Sequence, residues 1–192
     1  MKVVAFNGSP HPNGNTAQSL KIVLAGLEKE GIETELVQVG GKILRGCTAC
    51  GMCGKTQDLK CAYGDDGMNT FIRKMYEADG ILIGSPVYFG NVTSETKALI
   101  DRCGYVSRRN GFFLKRKVGA PVIAARRAGT NFTYAAINYF FGIMEMIIPC
   151  SSYWNMTLSD GKQTMQEDKE GVETFKTLGQ NMAWLLKKTV EK

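Results

Sequence analysis

The sequence predicts an α/β fold in which helices cover both faces of a doubly wound, five-stranded parallel sheet. Short runs of β-branched and aromatic residues bounded by turn residues predict the strands, and apolar residues at helical spacing predict the helices. The two kinds of segment alternate along the chain, as in consecutive βαβ units. The 192 residues, 44% of them hydrophobic, can bury a full core, and we expect one domain over residues 1–192.

The first half of the chain predicts three strands and two helices. Strands are expected at 2–6, where β-branched and aromatic residues cluster, at 32–39, which alternates, and at 80–84, which is short and apolar. The helix between the first two strands has one apolar face, formed by Leu20, Val23, Leu24 and Leu27. The helix before the third strand has an apolar face formed by Met68, Phe71, Ile72 and Met75. Asp65 or Asp66 is its expected N-cap.

The second half predicts two more strands and three more helices. A helix over 94–106 is followed by a buried strand over 118–125 and by an aromatic-rich helix over 131–146. Residues 147–153 are expected to form the fifth strand. The last helix has an apolar face formed by Val172, Phe175, Leu178, Met182, Leu185 and Leu186. Such sheets bind ligands beyond the carboxyl ends of their strands, so we expect function in the loops after strands one, three and four.

Composition and charge restrict the class of protein. The chain shows no secretion signal and no apolar run of the roughly 18 residues that span a bilayer, so we expect a cytoplasmic protein with no membrane partner. Its formal net charge is +6. The clearest basic cluster consists of Arg108, Arg109, Lys115, Arg116 and Lys117. This cluster is interpreted as a solvated turn, a dock for nucleotide phosphates or a nucleic-acid contact. Because no RNA- or DNA-binding motif accompanies it, we expect no nucleic-acid partner.

The loop after the first strand has the composition of a phosphate site. Residues 7–16 are rich in glycine, hydroxyl and carboxamide groups and lead into a helix. Small residues let backbone amides approach an anion, and the helix N-terminus adds positive potential. The loop lacks the lysine of a P-loop and the glycine spacing of the dinucleotide fingerprint, which argues against an NTPase and a Rossmann dehydrogenase. An ordinary loop with a Thr or Asn cap is the alternative interpretation.

Two motifs of the chain resemble those of a known family. The Gly-Ser-Pro run at 8–10, together with the Gly-Asn-Thr run at 14–16, resembles the phosphate loop of the NADPH-dependent FMN reductase family. Residues 84–93 resemble the second flavin loop of that family. Each motif follows a predicted strand, and the resemblance covers most of the chain. It implies bound FMN and a flavodoxin-like sheet with the strand order 2-1-3-4-5.

The resemblance also implies roles for individual residues. Those that would bind the FMN phosphate are Ser9, Asn13, Asn15 and Thr16. His11 lies in the same loop, where the family commonly has Arg or Lys, and we count it as a cofactor contact without a catalytic role. The residues that would lie along the isoalloxazine ring are Pro86, Val87, Tyr88, Phe89, Gly90 and Asn91. Their chemistry agrees, because aromatic rings offer flat apolar surface and a glycine lets backbone donors approach the ring.

The loop after the fourth strand should reach the same edge of the sheet. It contains Arg126, Arg127 and Gly129, which we expect to be the third flavin contact. A cation or a backbone donor near the N1 and O2 edge of the flavin would stabilise the anionic reduced ring. Either arginine could instead bind the phosphate of a nicotinamide nucleotide or face solvent.

The helix over 131–146 is too aromatic on all sides for an ordinary surface helix. Its aromatic residues include Tyr134, Tyr139, Phe140 and Phe141. Burial in the core is one interpretation, and subunit association is the other, because exposed aromatic surfaces mark interfaces. The family resemblance implies a homodimer or homotetramer in which a neighbouring subunit completes the flavin site. Trp154 and Asn155, expected just past the fifth strand, either pack at the edge of that site or end the strand.

Four of the six cysteines lie in one short segment. The spacing Cys-x2-Cys-x2-Cys-x7-Cys is formed by Cys47, Cys50, Cys53 and Cys61, and thiolates spaced in this way can bind an iron–sulfur cluster. The segment resembles the compact motif of the iron-sulfur flavoproteins, a branch of the same family that carries a [4Fe-4S] cluster beside FMN. A loop without metal and a structural zinc site are the alternatives, although zinc sites usually have a longer gap between two Cys-x2-Cys units. The other two, Cys103 and Cys150, are expected in the core.

These observations lead to a functional hypothesis with two alternatives. NADH or NADPH would pass hydride to FMN, and electrons would continue, through a [4Fe-4S] cluster if one is held, to a quinone, a nitro compound, free flavin or a carrier protein. This chemistry needs no acid or base in its reductive half, and we predict no catalytic side chain. The first alternative is a flavodoxin-like electron-transfer protein without nicotinamide turnover, which the basic charge disfavours because specialised flavodoxins tend to be acidic. The second is a metal-stapled binding module without flavin.

Overall fold

The strands of this protein lie in one parallel sheet. The computed structural model describes residues 1–63, 66–159 and 164–190. Its strands are β1 (Lys2–Asn7), β2 (Glu33–Gln38), β3 (Gly80–Pro86), β4 (Val118–Ala125) and β5 (Met156–Leu158). They pair in the order β2-β1-β3-β4-β5, which confirms the predicted fold class and strand order. The order reverses between β1 and β3, so the ligand-binding crevice of such a sheet lies at the carboxyl ends of these two strands.

Helices cover both faces of the sheet, as predicted. They are α1 (Asn15–Lys29), α2 (Met52–Thr56), α3 (Met68–Glu77), α4 (Ser94–Arg109), α5 (Thr130–Ile143) and α6 (Lys169–Thr189), and a 3₁₀ turn spans Met165–Glu167. The short α2 was not predicted. Along β1, Phe6 packs with α3, α4 and α5 on one face, whereas Val3 and Ala5 pack with α1 and α6 on the other. This alternation follows the two-residue period of a strand.

The fifth strand lies later in the chain than predicted. The prediction of a strand over 147–153 is wrong, because Ile147 forms only a single bridge with Val118. Pro149 has no N–H to donate to a neighbouring strand, and the chain leaves the sheet there. It returns as β5, which pairs with residues 123–125. The last strand therefore lies beside the carboxyl end of β4, at the edge where function was expected.

Three side chains near this strand differ from expectation. Trp154 and Asn155 precede β5 instead of following the strand, and Asn155 is buried while Trp154 is half exposed. Cys150 is exposed, because it follows Pro149 on the stretch that has left the sheet. Cys103 is buried in the core, as predicted.

The start of α3 also differs from the prediction. Its N-cap is Gly67, which has a φ of 87°, and not Asp66. The Asp66 carboxylate is instead held by Arg102, although its Oδ1 still accepts a hydrogen bond of 3.2 Å from the backbone N–H of Met68. Asp65 lies outside the described residues.

Two lysines of the basic cluster make contacts within the protein. The Lys117 ammonium donates a hydrogen bond of 2.6 Å to the carbonyl of Tyr76 at the end of α3. Lys115 forms an ion pair with Glu145. Among the described ranges 1–63, 66–159 and 164–190, no helix has both the length and the apolar composition needed to cross a membrane.

Candidate functional site

Three loops meet at the carboxyl edge of the sheet. The first follows β1, the second follows β3 and the third follows β4, and we call them loops 1, 2 and 3. Loop 1 is joined to β3 by a hydrogen bond of 2.8 Å from Gly8 N to Gly84 O. Loops 2 and 3 lie against each other, since a Cβ added to Gly129 would be 2.8 Å from Val87 Cγ1 and 3.0 Å from Gly90 Cα. The sheet topology thus brings together the three segments that were predicted to contact flavin.

Loop 1 is shaped by polar side chains at the ends of two strands. Asn7, at the end of β1, accepts a hydrogen bond from Ser9 N through its Oδ1 atom (3.1 Å), and its Nδ2 atom donates to Gln38 Oε1 (2.7 Å). Gln38, at the end of β2, donates to the Ser9 carbonyl at 2.7 Å. Sequence reasoning missed both residues, although the carboxamide that ends the apolar run of β1 was a usable signal for Asn7.

The hydroxyl groups of loop 1 lie beside the start of α1. Ser9 and Thr16 are both buried. The N-cap of α1 is Gly14, which makes no side-chain cap bond, and the first turn contains no acidic residue. The backbone N–H groups of a first helical turn have no intrahelical partner, so this helix start suits an anion.

The remaining polar residues of loop 1 differ in their surroundings. His11 and Asn13 are exposed at the tip of the loop. The Asn15 carboxamide is already bonded, because its Nδ2 atom donates to Ser159 Oγ and its Oδ1 atom accepts from Met165 N at 3.3 Å. Asn15 therefore ties loop 1 to the segment that follows β5.

Loop 2 contains a tight turn with an exposed aromatic residue. Tyr88 and Asn91 exchange backbone hydrogen bonds of 2.9 and 3.1 Å across the turn. Its two central residues, Phe89 and Gly90, have φ values of 48° and 77°. Positive φ is unfavourable for phenylalanine, and the Phe89 side chain is fully exposed as well. A strained backbone that presents an apolar ring to solvent indicates a surface for a ligand.

Loop 2 is fastened to loop 1 by the threonine that caps α4. Thr93 Oγ1 donates to the Gly8 carbonyl at 2.8 Å. The backbone N–H of Thr93 donates to Ser85 Oγ at 3.1 Å. These contacts hold the two loops in one arrangement.

Loop 3 carries two arginines into solvent. Arg126 and Arg127 are exposed. Gly129 has a φ of 91° and is the N-cap of α5. Both guanidinium groups are therefore accessible to an anion that approaches loops 2 and 3.

A pocket lined by all four predicted metal ligands lies beside α4. We call it the cysteine pocket, and its walls include Cys47, Cys50, Cys53 and Cys61, together with Arg102 and Tyr105. Cys47 and Cys50 are exposed, Cys61 is partly buried and Cys53 is buried. Within the described part of the chain, no three His, Cys, Asp or Glu side chains converge on a point where one metal ion could sit. The thiols therefore share a cavity without forming a site for a single ion.

Comparisons with known proteins identify the family. The family model of NADPH-dependent FMN reductases matches residues 1–160. The chain belongs to that family. It is 38% identical over 194 residues to an iron-sulfur flavoprotein of Methanocaldococcus jannaschii, with 97% of this chain and 98% of the relative covered. It is 35% identical over 177 residues to an iron-sulfur flavoprotein of Methanosarcina thermophila, with 87% and 91% covered.

The fold of this FMN reductase family member is also found among solved structures. A flavodoxin from the domain Archaea superposes with a TM-score of 0.64 at 16% identity, with 97% of this chain and 99% of that chain covered. The flavodoxin-like fold implied by the sequence motifs is thereby confirmed. Flavin oxidoreduction is the chemistry of the family to which the chain belongs.

The thiols of this family member have different acidities. The backbone N–H of Met52 is the main cause that lowers the pKa of Cys50, and the Thr48 hydroxyl acts in the same direction. Burial raises the pKa of Cys53, and the neighbouring thiolate of Cys61 raises it further. Cys50 is thus the more readily ionised of these two thiols.

A buried cation lies under the cysteine pocket. The side chain of Arg102, on α4, is 1% exposed and pairs with Asp66. Burial alone would raise the pKa of the Asp66 carboxyl, but hydrogen bonds from Arg102 and from the backbone N–H groups of Arg45 and Met68 outweigh it and hold that pKa below its ordinary value. Sequence reasoning missed Arg102. Its position three residues after Leu99, on the apolar face of α4, was the available signal.

Proposed function

We propose that this protein is an NAD(P)H-dependent flavin oxidoreductase that binds FMN at loops 1 to 3 and a [4Fe-4S] cluster in the cysteine pocket. One observation carries the proposal. Three loops with the expected residue chemistry meet at the point where the strand order reverses, which is where doubly wound sheets bind nucleotides.

Loop 1 would hold the phosphate of FMN. The hydroxyls of Ser9 and Thr16 lie next to the unpaired N–H groups at the start of α1, and the absence of acidic residues in that turn favours an anion. Asn13 and His11 would contribute from the exposed tip of the loop. Asn15 would contribute through its backbone, because its carboxamide is bonded elsewhere.

Loops 2 and 3 would hold the flavin ring. The residues of loop 2 that would contact it are Pro86, Val87, Tyr88, Phe89, Gly90 and Asn91. Bound FMN supplies the redox chemistry, accepting hydride from a nicotinamide nucleotide and passing electrons on. Arg126 and Arg127 would stabilise negative charge on the reduced ring or bind the donor's phosphate, and Gly129 keeps loop 3 close to loop 2.

The cysteine pocket would hold the cluster. Four thiols with ferredoxin-like spacing line one cavity, and a buried guanidinium lies beside them, a donor set that fits an anionic iron–sulfur cluster. A cluster bound by Cys47, Cys50, Cys53 and Cys61 supplies one-electron transfer, so two-electron donors could serve one-electron acceptors. The segment starts near loop 1, since a Cβ on Gly41 would be 3.7 Å from Pro10 Cα. Because the six residues from Gly41 to Cys47 span at most about 22 Å, Cys47 lies within roughly 27 Å of loop 1.

The acceptor and the assembly are part of the proposal. A quinone, a nitro compound, free flavin or a carrier protein is the acceptor class we propose, and the cytoplasm is the compartment, because free thiols and such clusters need reducing conditions. The side chains of Phe132 and Tyr139, on α5, are 71% and 78% exposed, and Ile143 continues the same exposed surface. We propose that a second copy of the chain covers these residues, since aromatic residues are enriched at interfaces.

The test is a spectrum and a rapid-mixing experiment on protein purified without oxygen. The expected results are FMN identified by mass after acid release, about four irons per chain, and rapid bleaching of the flavin by NADH or NADPH. Recovery of FAD alone would contradict the assignment of loop 1. Bound FMN that neither nucleotide bleaches would identify an electron-transfer protein instead, and colourless protein would identify a module without flavin.

A further inference from the structure

Arg102 directs its guanidinium group at the cysteine segment and at residues on either side of it. Its Nε atom donates to Cys61 Sγ at 3.4 Å. Its Nη1 atom donates one hydrogen bond of 3.1 Å to the carbonyl of Arg45 and another to the Asp66 carboxylate. Its Nη2 atom donates to the carbonyl of Tyr63 at 3.1 Å. One buried side chain thereby joins residues before the first cysteine to residues after the last.

The rest of the segment is fastened through its backbone. Asn69, on α3, donates to the Cys61 carbonyl and accepts from Cys61 N. Asn110, at the end of α4, donates to the Cys53 carbonyl and accepts from Leu59 N. These carboxamides fix where the chain runs, but neither donates to a sulfur atom. Within ranges 1–63, 66–159 and 164–190, Arg102 is the side chain that reaches a cysteine sulfur from the core helices.

The buried charge of Arg102 is paired with one carboxylate at the edge of the cysteine pocket. Burying a guanidinium is unfavourable unless it is paired and its donors are satisfied. Asp66 supplies one negative charge and is itself partly exposed. Four thiolates around an iron–sulfur core would place further negative charge against the same guanidinium. Hydrogen bonds to the sulfurs and local net charge are among the factors that set the reduction potential of such a cluster.

We propose that Arg102 is a positioning residue for the iron–sulfur cluster: it closes the cysteine segment around the cluster, and its bond to Cys61 Sγ raises the cluster's reduction potential. The inference rests on the cluster in the proposed function. It adds the residue that holds and tunes the cluster. A cation and a hydrogen-bond donor at a ligand sulfur both stabilise the more negative, reduced form, so their removal shifts the potential to more negative values.

The experiment compares wild-type protein with Arg102→Gln, Arg102→Lys and the control Arg73→Gln, all carrying FMN and reconstituted with iron and sulfide without oxygen. Arg73 is an exposed residue of α3, and its replacement removes the same charge from the surface. Potentiometric titration followed by electron paramagnetic resonance gives the cluster potential, and iron retained after a chelator challenge gives cluster affinity. Arg102→Gln should shift the potential to more negative values and lower the affinity by about 10- to 100-fold, the usual effect of removing a residue that supports a metal ligand.

Arg102→Lys keeps the buried charge, so it should fold even if the glutamine variant does not. It should show a smaller shift in the same direction, because a lysine cannot form the whole set of guanidinium bonds. Arg73→Gln should match the wild type. The inference would be overturned if Arg102→Gln, or Arg102→Lys if only that variant folds, held a full cluster with an unchanged reduction potential. The proposed cluster itself would still be supported by that result. Iron-free wild-type protein that still holds FMN would overturn both.

Discussion

At the scale of single residues, the proposed flavin site would depend on a few hydroxyl groups and one unfavourable backbone conformation. Ser9 and Thr16 are buried beside the start of α1, where the backbone N–H groups of the first turn lack intrahelical partners and would attract an anion. Phe89 keeps a positive φ and an exposed ring. Such a combination persists only when the surrounding structure enforces it, here through the paired backbone hydrogen bonds of the loop 2 turn.

The double variant Ser9→Ala, Thr16→Ala should bind FMN much more weakly while remaining folded. Losing one hydrogen bond to a charged group costs about 1.5–3 kcal/mol, so two losses raise the dissociation constant by roughly 100-fold or more. Fluorescence titration of the cofactor-free protein with FMN measures the change. Thr189→Ala, which removes an exposed hydroxyl at the end of α6, is the matched control. Equal FMN affinity in the double variant and the control would rule out loop 1 as the phosphate site.

At the scale of elements, the contact between loops 2 and 3 depends on the absence of a side chain at Gly129. This residue begins α5 with a φ of 91°, and Val87 and Gly90 fill the space where a Cβ would be. The C-terminal part of the fold thus sets the position of loop 2.

Gly129→Ala should lower the free energy of unfolding by about 1–3 kcal/mol, because the added Cβ meets both a strained φ and a close neighbour. Gly142→Ala is the control, since it lies in the same helix with no atom within 4 Å of the added Cβ. That replacement should be neutral or should stabilise the helix by up to about 1 kcal/mol. Urea unfolding of both variants measures the difference. Similar stabilities would show that loops 2 and 3 are not in tight contact.

Helices and strands were predicted correctly where an apolar pattern repeats over many residues. The prediction failed where hydrogen bonding to a neighbouring strand defines the element. The apolar stripes of α1 and α6 and the buried run of β4 were readable, because each repeats over several residues. β5 has only three residues and pairs with one neighbour, so hydrogen bonding to β4 defines it rather than its own composition. Ile147 and its apolar neighbour look more strand-like in sequence, but Pro149 ends the pairing there.

At the scale of the whole molecule, a charged network joins three elements on the outer side of the sheet. Glu35, on β2, pairs with Lys2 on β1 and with Lys74 on α3. The hydrogen bond from Lys74 is the main cause that lowers the pKa of Glu35, and burial opposes it. Because the pKa of Glu35 is lower in the folded state than its ordinary value of 4.5, the ionised carboxylate stabilises the fold at any pH above 4.5. This stability is lost as the pH falls through the lower pKa of the folded state.

Glu35→Gln should therefore destabilise the protein at neutral pH, by about 1 kcal/mol for a partly exposed network. The difference in the free energy of unfolding between this variant and the wild type should shrink as the pH falls below the ordinary pKa of the carboxyl. It should vanish once the carboxyl of the folded wild type is protonated. Urea unfolding over a series of pH values checks this. Glu33→Gln on the same strand is the control, because Glu33 is more exposed and, among the described residues, pairs with Lys2 alone. A difference that stays constant with pH would contradict the assigned pKa direction.

The loops of the candidate site could be predicted from the sequence. The side chains that hold these loops and the cysteine segment in place could not. The glycine, hydroxyl and cysteine motifs are local in sequence, so their chemistry could be predicted without a fold. Asn7, Gln38 and Arg102 act across distances of tens of residues. Only the topology that brings their elements together reveals what they hold.

The way the cysteine segment is attached indicates that the proposed cluster site and the proposed flavin site are separable. Residues 42–61 contribute no strand among the described residues, and much of the segment is exposed. Side chains of α3 and α4 fasten it from outside, and among the described residues Cys53 is its one buried member in the core, so most of the core forms without it. Related proteins could therefore gain or lose the four cysteines and keep the flavodoxin-like fold. A relative that has lost the cysteines would be expected to retain an arginine at the position of Arg102.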